Sequence, residues 1–191
     1  EDQSGISNLH EIITASDALM VARGDLGIEI PYEDLPLVQH RAIEMCQAEG
    51  RPVIIATHML ESMIELPMPS RAEITDISSA VVERVDCLML SGETTVGKYP
   101  IGCVDVMQRI IKKIEPTVQK PMNSDISLKT TKAKMLRSAL TLADEIGNSG
   151  VVVFTRSGFL PAVLAALRMK HVPIYAFTDT EPVFRQLLIY W

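Results

Sequence analysis

The sequence predicts an α/β fold built on parallel strands, and three observations carry that expectation. Short apolar runs recur as "ALMVA" (Ala18 to Ala22), "VIIA" (Val53 to Ala56) and "CLML" (Cys87 to Leu90), their starts 35 and 34 residues apart. Each run is followed by a segment of helical period, the pattern of strands covered on both faces and joined by helical crossovers. Each run also ends in polar residues on the same side: "RGD" after the first, "THM" after the second and "SGET" after the third.

The elements follow in order. After the first strand, Val38, Ala42 and Met45 or Cys46 recur at helical spacing, and Gly50 stands where that helix would stop. After the second, Ile74, Ile77 and Val81 form a stripe expected to face the core. After the third, Val104, Met107, Ile111 and Ile114 do the same, with Pro100 at a position that a first helical turn tolerates. The near-constant interval marks a repeated βα unit. From Glu115 to Lys129 the segment "EPTVQKPMNSDISLK" has two prolines and no sustained period, which reads as a linker. Beyond it, Leu136, Leu140 and Ala143 stripe a helix, and "VVVFT" and "IYAFT" are strands each followed by a helix. The expected domains are 1–115, a linker over 116–129, and a second α/β unit over 130–191.

Composition narrows the function. The 191 residues are 47% apolar, ample for a packed core, and carry a formal net charge of -6 without a lysine or arginine run, which argues against a nucleic-acid footprint. Small molecules or proteins are the expected partners. No apolar run approaches the roughly 20 residues of a membrane helix. Cys46, Cys87 and Cys103 lack CxxC spacing, so buried thiols in a reducing compartment are expected rather than a disulfide framework.

In parallel (β/α) barrels, chemistry sits at the carboxyl ends of the strands. Asp25 is therefore a candidate site residue flanked by Gly24 and Gly27, although aspartate there also serves as a helix cap. Thr57 reads either as a hydroxyl donor or as a β-branched residue closing a strand. Ser91 and Glu93 read either as site residues or as a turn. Arg23, hemmed in by a strand and glycines, is expected in a structural ion pair. His58 is expected in a packing or hydrogen-bonding role near the strand ends, with a proton shuttle the lesser alternative, and Arg71 and Glu73 are expected to start a capped helix.

The blocks "MVARGDLGIEIP", "PVIIATHMLESMI", "PSRAEITDISSAV" and "CLMLSGETTVGKYP" resemble, in order and interval, signature segments of the pyruvate kinase family. "LADEIGNSGVVVFTRSG" and "PIYAFTDTEPVFRQLLIYW" are similar, more loosely, to the start of that family's C-terminal domain. The resemblance implies a partial TIM (β/α)8 barrel, its last three βα units, followed by part of a three-layer α/β domain. It implies phosphoryl transfer from phosphoenolpyruvate to ADP, giving pyruvate and ATP, with Mg²⁺ or Mn²⁺ held by Glu1 and Asp25. A K⁺ ion is also implied, its ligands lying outside this chain. Gly24, Asp25 and Thr57 would bind the substrate, and Thr57 and Ser91 would be catalytic. Arg71 and Glu73 resemble an interface-forming segment, and a homotetramer in the cytoplasm, or in a plastid, is implied.

The turn Thr155, Ser157, Gly158 resembles an effector-phosphate site, with Ser157 as a plain helix N-cap the competing reading. Phe159 and Leu160 stand where an arginine and a small hydroxyl residue would commonly follow, so a weak response to fructose 1,6-bisphosphate is expected. By resemblance the enolate-stabilising lysine would lie two positions before Glu1, so the isolated chain is expected to be inactive. Two other readings stay open: a non-catalytic remnant or interaction module of the same fold, and a class II Mg²⁺-dependent pyruvate-type aldolase barrel.

Overall fold

The structure, a computed structural model, describes residues 2–119, 122–124 and 126–191. Two short helices, α1 (Gln3–Ser7) and α2 (Leu9–Ala15), lead into strand β1 (Leu19–Ala22). Strand β1 runs directly into α3 (Arg23–Glu29), then α4 (Leu35–Glu49). Strand β2 (Val53–Ala56) is followed by a 3-10 turn at Glu61–Ile64 and by α5 (Arg71–Val82). Strand β3 (Cys87–Met89) is followed by α6 (Gly92–Thr95) and α7 (Pro100–Ile114). Each unit thus places a short helical turn between a strand and its long crossover helix.

The three strands are parallel in the order β1-β2-β3, with Val21 beside Ile55 and Ile55 beside Leu88. Three consecutive parallel units of this kind form an arc of a barrel that does not close on itself. Ile55, Met59, Met63 and Ile77 are fully buried in the core the helices cover, each contributing about 1.5–3 kcal/mol by the area it withdraws from water. The stop at Gly50 is realised as expected. Its φ of 66° is left-handed, and its amide reaches back to the carbonyl of Gln47 while Arg51 N–H reaches Cys46 O, closing α4.

Two expected core positions are corrected. Val104 is 52% exposed and Ile74 is 40% exposed. The period was right and the phase was not: α7 turns Cys103, Val106 and Met107 inward and α5 turns Ile77 and Ala80 inward. One residue along a helix is about 100° of rotation, so a neighbour of a buried position can face water.

The second unit contains α8 (Thr131–Ile146), β4 (Val151–Phe154), α9 (Phe159–Ala166), β5 (Ile174–Phe177) and α10 (Glu181–Leu187), with β4 and β5 parallel. Leu140, Leu164 and Leu167 are fully buried in its core. Among its described residues, the segment expected as a linker has no regular element after Glu115–Thr117, yet it is packed against both units. Asn123 Nδ2 donates to Gln47 O at 2.8 Å and Ala166 O at 3.2 Å, and Ile126 is buried beside Gly50. Asp86 and Arg168 join the units directly, at 2.8 Å and 2.5 Å. Among the described residues no helix is long and apolar enough to cross a membrane.

Candidate active site

The polar residues that follow β1, β2 and β3 gather at one end of the sheet because the strands are parallel and in register. Ala22 ends β1 and Ala56 ends β2 as register partners, so the residues that follow them, Arg23–Gly24 and Thr57–His58, are neighbours in space. Thr57 Oγ1 accepts the Gly24 amide at 2.8 Å and donates to the Ala56 carbonyl at 2.7 Å. The hydroxyl expected to serve a ligand therefore also holds two strand ends together. Asp25 lies in the first turn of α3 and is exposed, with no hydrogen bond or ion pair among the described residues. Its carboxylate is open to a ligand.

Thr57 and His58 have φ values of 68° and 53°, consecutive left-handed residues of which the first is β-branched. Such backbone costs about 1–3 kcal/mol per residue and persists only where surrounding structure holds it. Arg23, expected in an ion pair and found in one, lies against this turn. Its Nη1 lies 2.7 Å from both oxygens of Asp76, and its Nη2 donates to the Thr57 carbonyl at 2.6 Å.

Ser91 follows β3 and, with Glu93, connects the third strand end to the second. Glu93 is 1% exposed and its carboxylate accepts the amides of Leu60 at 3.0 Å and Ser91 at 2.7 Å. Burial pushes its pKa up, but the amides of Leu60, Glu93, Ser91 and Met59 outweigh it and hold the carboxyl below its ordinary value. Glu93 is thus an inward strut, and a glutamate after Ser-Gly gives no sequence signal of that. Ser91 is half-buried, beside the carboxylate rather than spent on it through its hydroxyl.

The expected capped start of α5 is present as a capping box between Ser70 and Glu73. Glu73 also accepts from Ser62 N at 2.7 Å and Ser62 Oγ at 2.6 Å, tying α5 to the turn after β2. Burial raises the Glu73 pKa, but the Ser62 and Ser70 donors outweigh it and leave the carboxyl below its ordinary value. The cysteines are all unpaired thiols. Cys46 is buried, and its pKa is pushed up to about 12 by burial and then by Asp86.

Glu1 lies outside the described residues. Among the described residues no group of three or more ligating side chains gathers as a metal site. Mg²⁺ takes one or two protein carboxylates and completes its octahedron with substrate oxygens and water, so a single open carboxylate at Asp25 fits it.

In the second unit, Thr155 Oγ1 accepts the Gly158 amide at 2.9 Å, and Gly158 itself, at φ 74°, is the N-cap of α9. Ser157 is exposed and does not cap α9, which corrects that expectation: the left-handed turn at Gly158 lets the chain fold back onto Thr155 instead. A cleft of about 490 Å³ adjoins this turn, lined by Phe154, Thr155, Arg156, Phe177, Thr178 and Asp179.

The family model described as pyruvate kinase, barrel domain, matches residues 1–104, and the one described as pyruvate kinase, alpha/beta domain, matches residues 133–191. The chain belongs to the pyruvate kinase family. Among pyruvate kinases it is 42% identical to plastidial pyruvate kinase 2 of Arabidopsis thaliana, over 100% of this chain and 33% of that protein. It is 44% identical to pyruvate kinase of Mycobacterium tuberculosis, over 100% of this chain and 40% of that protein. The crystal structure of pyruvate kinase from Pyrobaculum aerophilum superposes with a TM-score of 0.91 at 34% identity, covering 99% of this chain and 41% of that one. The chain thus spans 33–40% of the length of these two curated pyruvate kinases, and its open three-stranded arc is part of the family's barrel.

Proposed function

We propose that the full-length protein transfers a phosphoryl group from phosphoenolpyruvate to ADP, giving pyruvate and ATP as the last step of glycolysis. The observation that carries this reading is the junction of Gly24, Asp25 and Thr57 at adjoining strand ends, inside the segment matched to the pyruvate kinase barrel. In the transfer, the bond from phosphorus to the enol oxygen breaks, a bond to the terminal oxygen of ADP forms, and the methylene carbon takes up a proton.

Each residue of this chain has a defined part. Asp25, with Glu1, holds a divalent cation, Mg²⁺ or Mn²⁺. When bound, that cation neutralises charge on the transferring phosphoryl group and on the substrate oxygens. Thr57 binds the substrate by turning its hydroxyl proton from the Ala56 carbonyl toward the substrate, a rotation about one bond that leaves the oxygen where Gly24 N–H holds it. With the Gly24 amide kept on Thr57 Oγ1, the amide of Asp25 keeps the substrate carboxylate against the strand ends, where a preorganised donor costs little reorganisation. Ser91 stands at the third strand end, on the side where the methylene carbon is protonated.

K⁺ is taken up by residues outside this chain. The protein works as a homotetramer in the cytoplasm, or in a plastid, as the names of the plastidial and chloroplastic relatives suggest. The domains divide at 115 and 130. Thr155, Ser157 and Gly158 form an effector-phosphate turn that responds weakly to fructose 1,6-bisphosphate, since Phe159 and Leu160 offer a bisphosphate neither charge nor hydroxyl.

The test is phosphorus NMR for the nucleotides and phosphate, with proton NMR for pyruvate, of the purified full-length protein with phosphoenolpyruvate, ADP, Mg²⁺ and K⁺. Formation of ATP and pyruvate in equal amounts is expected. Pyruvate released with inorganic phosphate, or no reaction, would contradict the reading.

A further inference from the structure

Arg23 is a buried cation that the proposed chemistry does not touch. It is 8% exposed, and its fork is committed in three directions. Nη1 faces both oxygens of Asp76 at 2.7 Å, Nε donates to the Ala56 carbonyl at 3.3 Å, and Nη2 lies 2.6 Å from the Thr57 carbonyl and 2.9 Å from Met59 Sδ. The two carbonyls belong to the peptide groups on either side of the Thr57 Cα. A guanidinium that grips both fixes how the backbone turns between them.

That turn needs fixing. Thr57 and His58 are consecutive residues with positive φ, a conformation that a β-branched residue leaves when nothing holds it. Relaxation to negative φ would rotate the Thr57 side chain away from Gly24 and break the 2.8 Å bond between them. Each of the three Arg23 guanidinium nitrogens is spent on a protein partner. Its anchor is Asp76 on α5, on the helix layer behind the sheet.

We propose that Arg23, held by Asp76, is a positioning residue that locks the left-handed Thr57–His58 turn and so sets the Thr57 hydroxyl for the substrate carboxylate. The substrate in this proposal rests on the pyruvate kinase reading, whereas the geometric lock does not. A lysine would keep the charge opposite Asp76 but has no planar fork, and it cannot hold Asp76 and both carbonyls at once.

The experiment uses the full-length protein and the variants Arg23→Lys and Asp76→Asn, with steady-state kinetics, thermal melts and crystal structures. Loss of charged hydrogen bonds of this type predicts a rise in KM for phosphoenolpyruvate of about tenfold or more for Arg23→Lys, and a smaller rise for Asp76→Asn. KM for ADP should stay near its original value, and a general loss of folding, which lowers the apparent kcat and leaves both KM values unchanged, would not reproduce the rise for phosphoenolpyruvate. In the crystal structure of Arg23→Lys, Thr57 should adopt negative φ and lose its bond to Gly24. Retained positive φ with an unchanged KM would overturn the proposal. If the unmodified protein does not turn over phosphoenolpyruvate, the functional reading fails, and the Thr57 backbone in the variants still decides the lock. Should Arg23→Lys not fold, Asp76→Asn, altered at a side chain one-third exposed, carries the same two readouts.

Discussion

Asp86 and Arg168 form an ion pair across the seam between the two units, with N–O distances of 2.8 Å and 2.5 Å and side chains only 3% and 2% exposed. The Asp86 carboxylate also accepts the amides of Val53 at 2.9 Å and Trp191 at 3.2 Å, so one buried group ties the start of β2 to the second unit. The Arg168 guanidinium lies 5.5 Å over the Trp191 ring, which shields the pair further.

Removing one partner of that pair leaves a buried, uncompensated charge. Asp86→Asn should destabilise the full-length protein by about 3–5 kcal/mol. In a double-mutant cycle with Arg168→Gln, the two changes should couple by about 1–3 kcal/mol, read from denaturant midpoints. Additive effects would show that the pair does not join the units energetically.

Glu93 ties stability to pH. Its carboxyl is held below the ordinary 4.5, so its contribution is fully present above that value and is lost as pH falls through the lower, folded-state pKa. Glu93→Gln should flatten this acid limb, which urea titrations at descending pH would show. At neutral pH the same change turns an amide N–H₂ toward the Leu60 or Ser91 N–H, and a cost of about 1–3 kcal/mol is expected. An acid limb identical to that of the unmodified protein would contradict the strut role.

Thr57→Val keeps the branched shape and deletes the hydroxyl that accepts from Gly24. The hydroxyl's two neutral hydrogen bonds are worth about 1 kcal/mol each, so a loss of about 2 kcal/mol in stability is expected. A fall of about tenfold or more in kcat/KM, beyond what that stability change explains, is expected if the hydroxyl meets the substrate. Activity that tracks the melting temperature alone would reduce Thr57 to a structural clasp.

Much of the fold was legible because strands covered on both faces must be apolar along their length, and "VIIA" can be little else. Gly50 was legible as a stop because its left-handed φ suits glycine. Phase was less legible than period: Val104 and Cys103 are both apolar neighbours on one helix, and only packing decides which faces inward. At the candidate site, the residue types after each strand were readable, and Arg23 was read as an ion-pair former. Its partner was not, since Asp76 is 53 residues away and one sequence carries no record of that contact. Nor was the inward turn of Glu93, whose burial is set by amides that belong to no motif. The left-handed Thr57–His58 turn is likewise invisible in residue types, threonine being a residue that ordinarily avoids it.

The proposed role of Asp25 is to hold the cation on which phosphoryl transfer depends. It is tested most directly by a lactate-dehydrogenase-coupled assay of the full-length protein and its Asp25→Asn variant across a Mg²⁺ titration. An amide binds Mg²⁺ weakly and neutralises no charge. Turnover should therefore fall by about a hundredfold or more, with the apparent Mg²⁺ requirement shifted to higher concentration and the melting temperature preserved. Turnover by Asp25→Asn close to that of the unmodified protein at saturating Mg²⁺ would contradict the account.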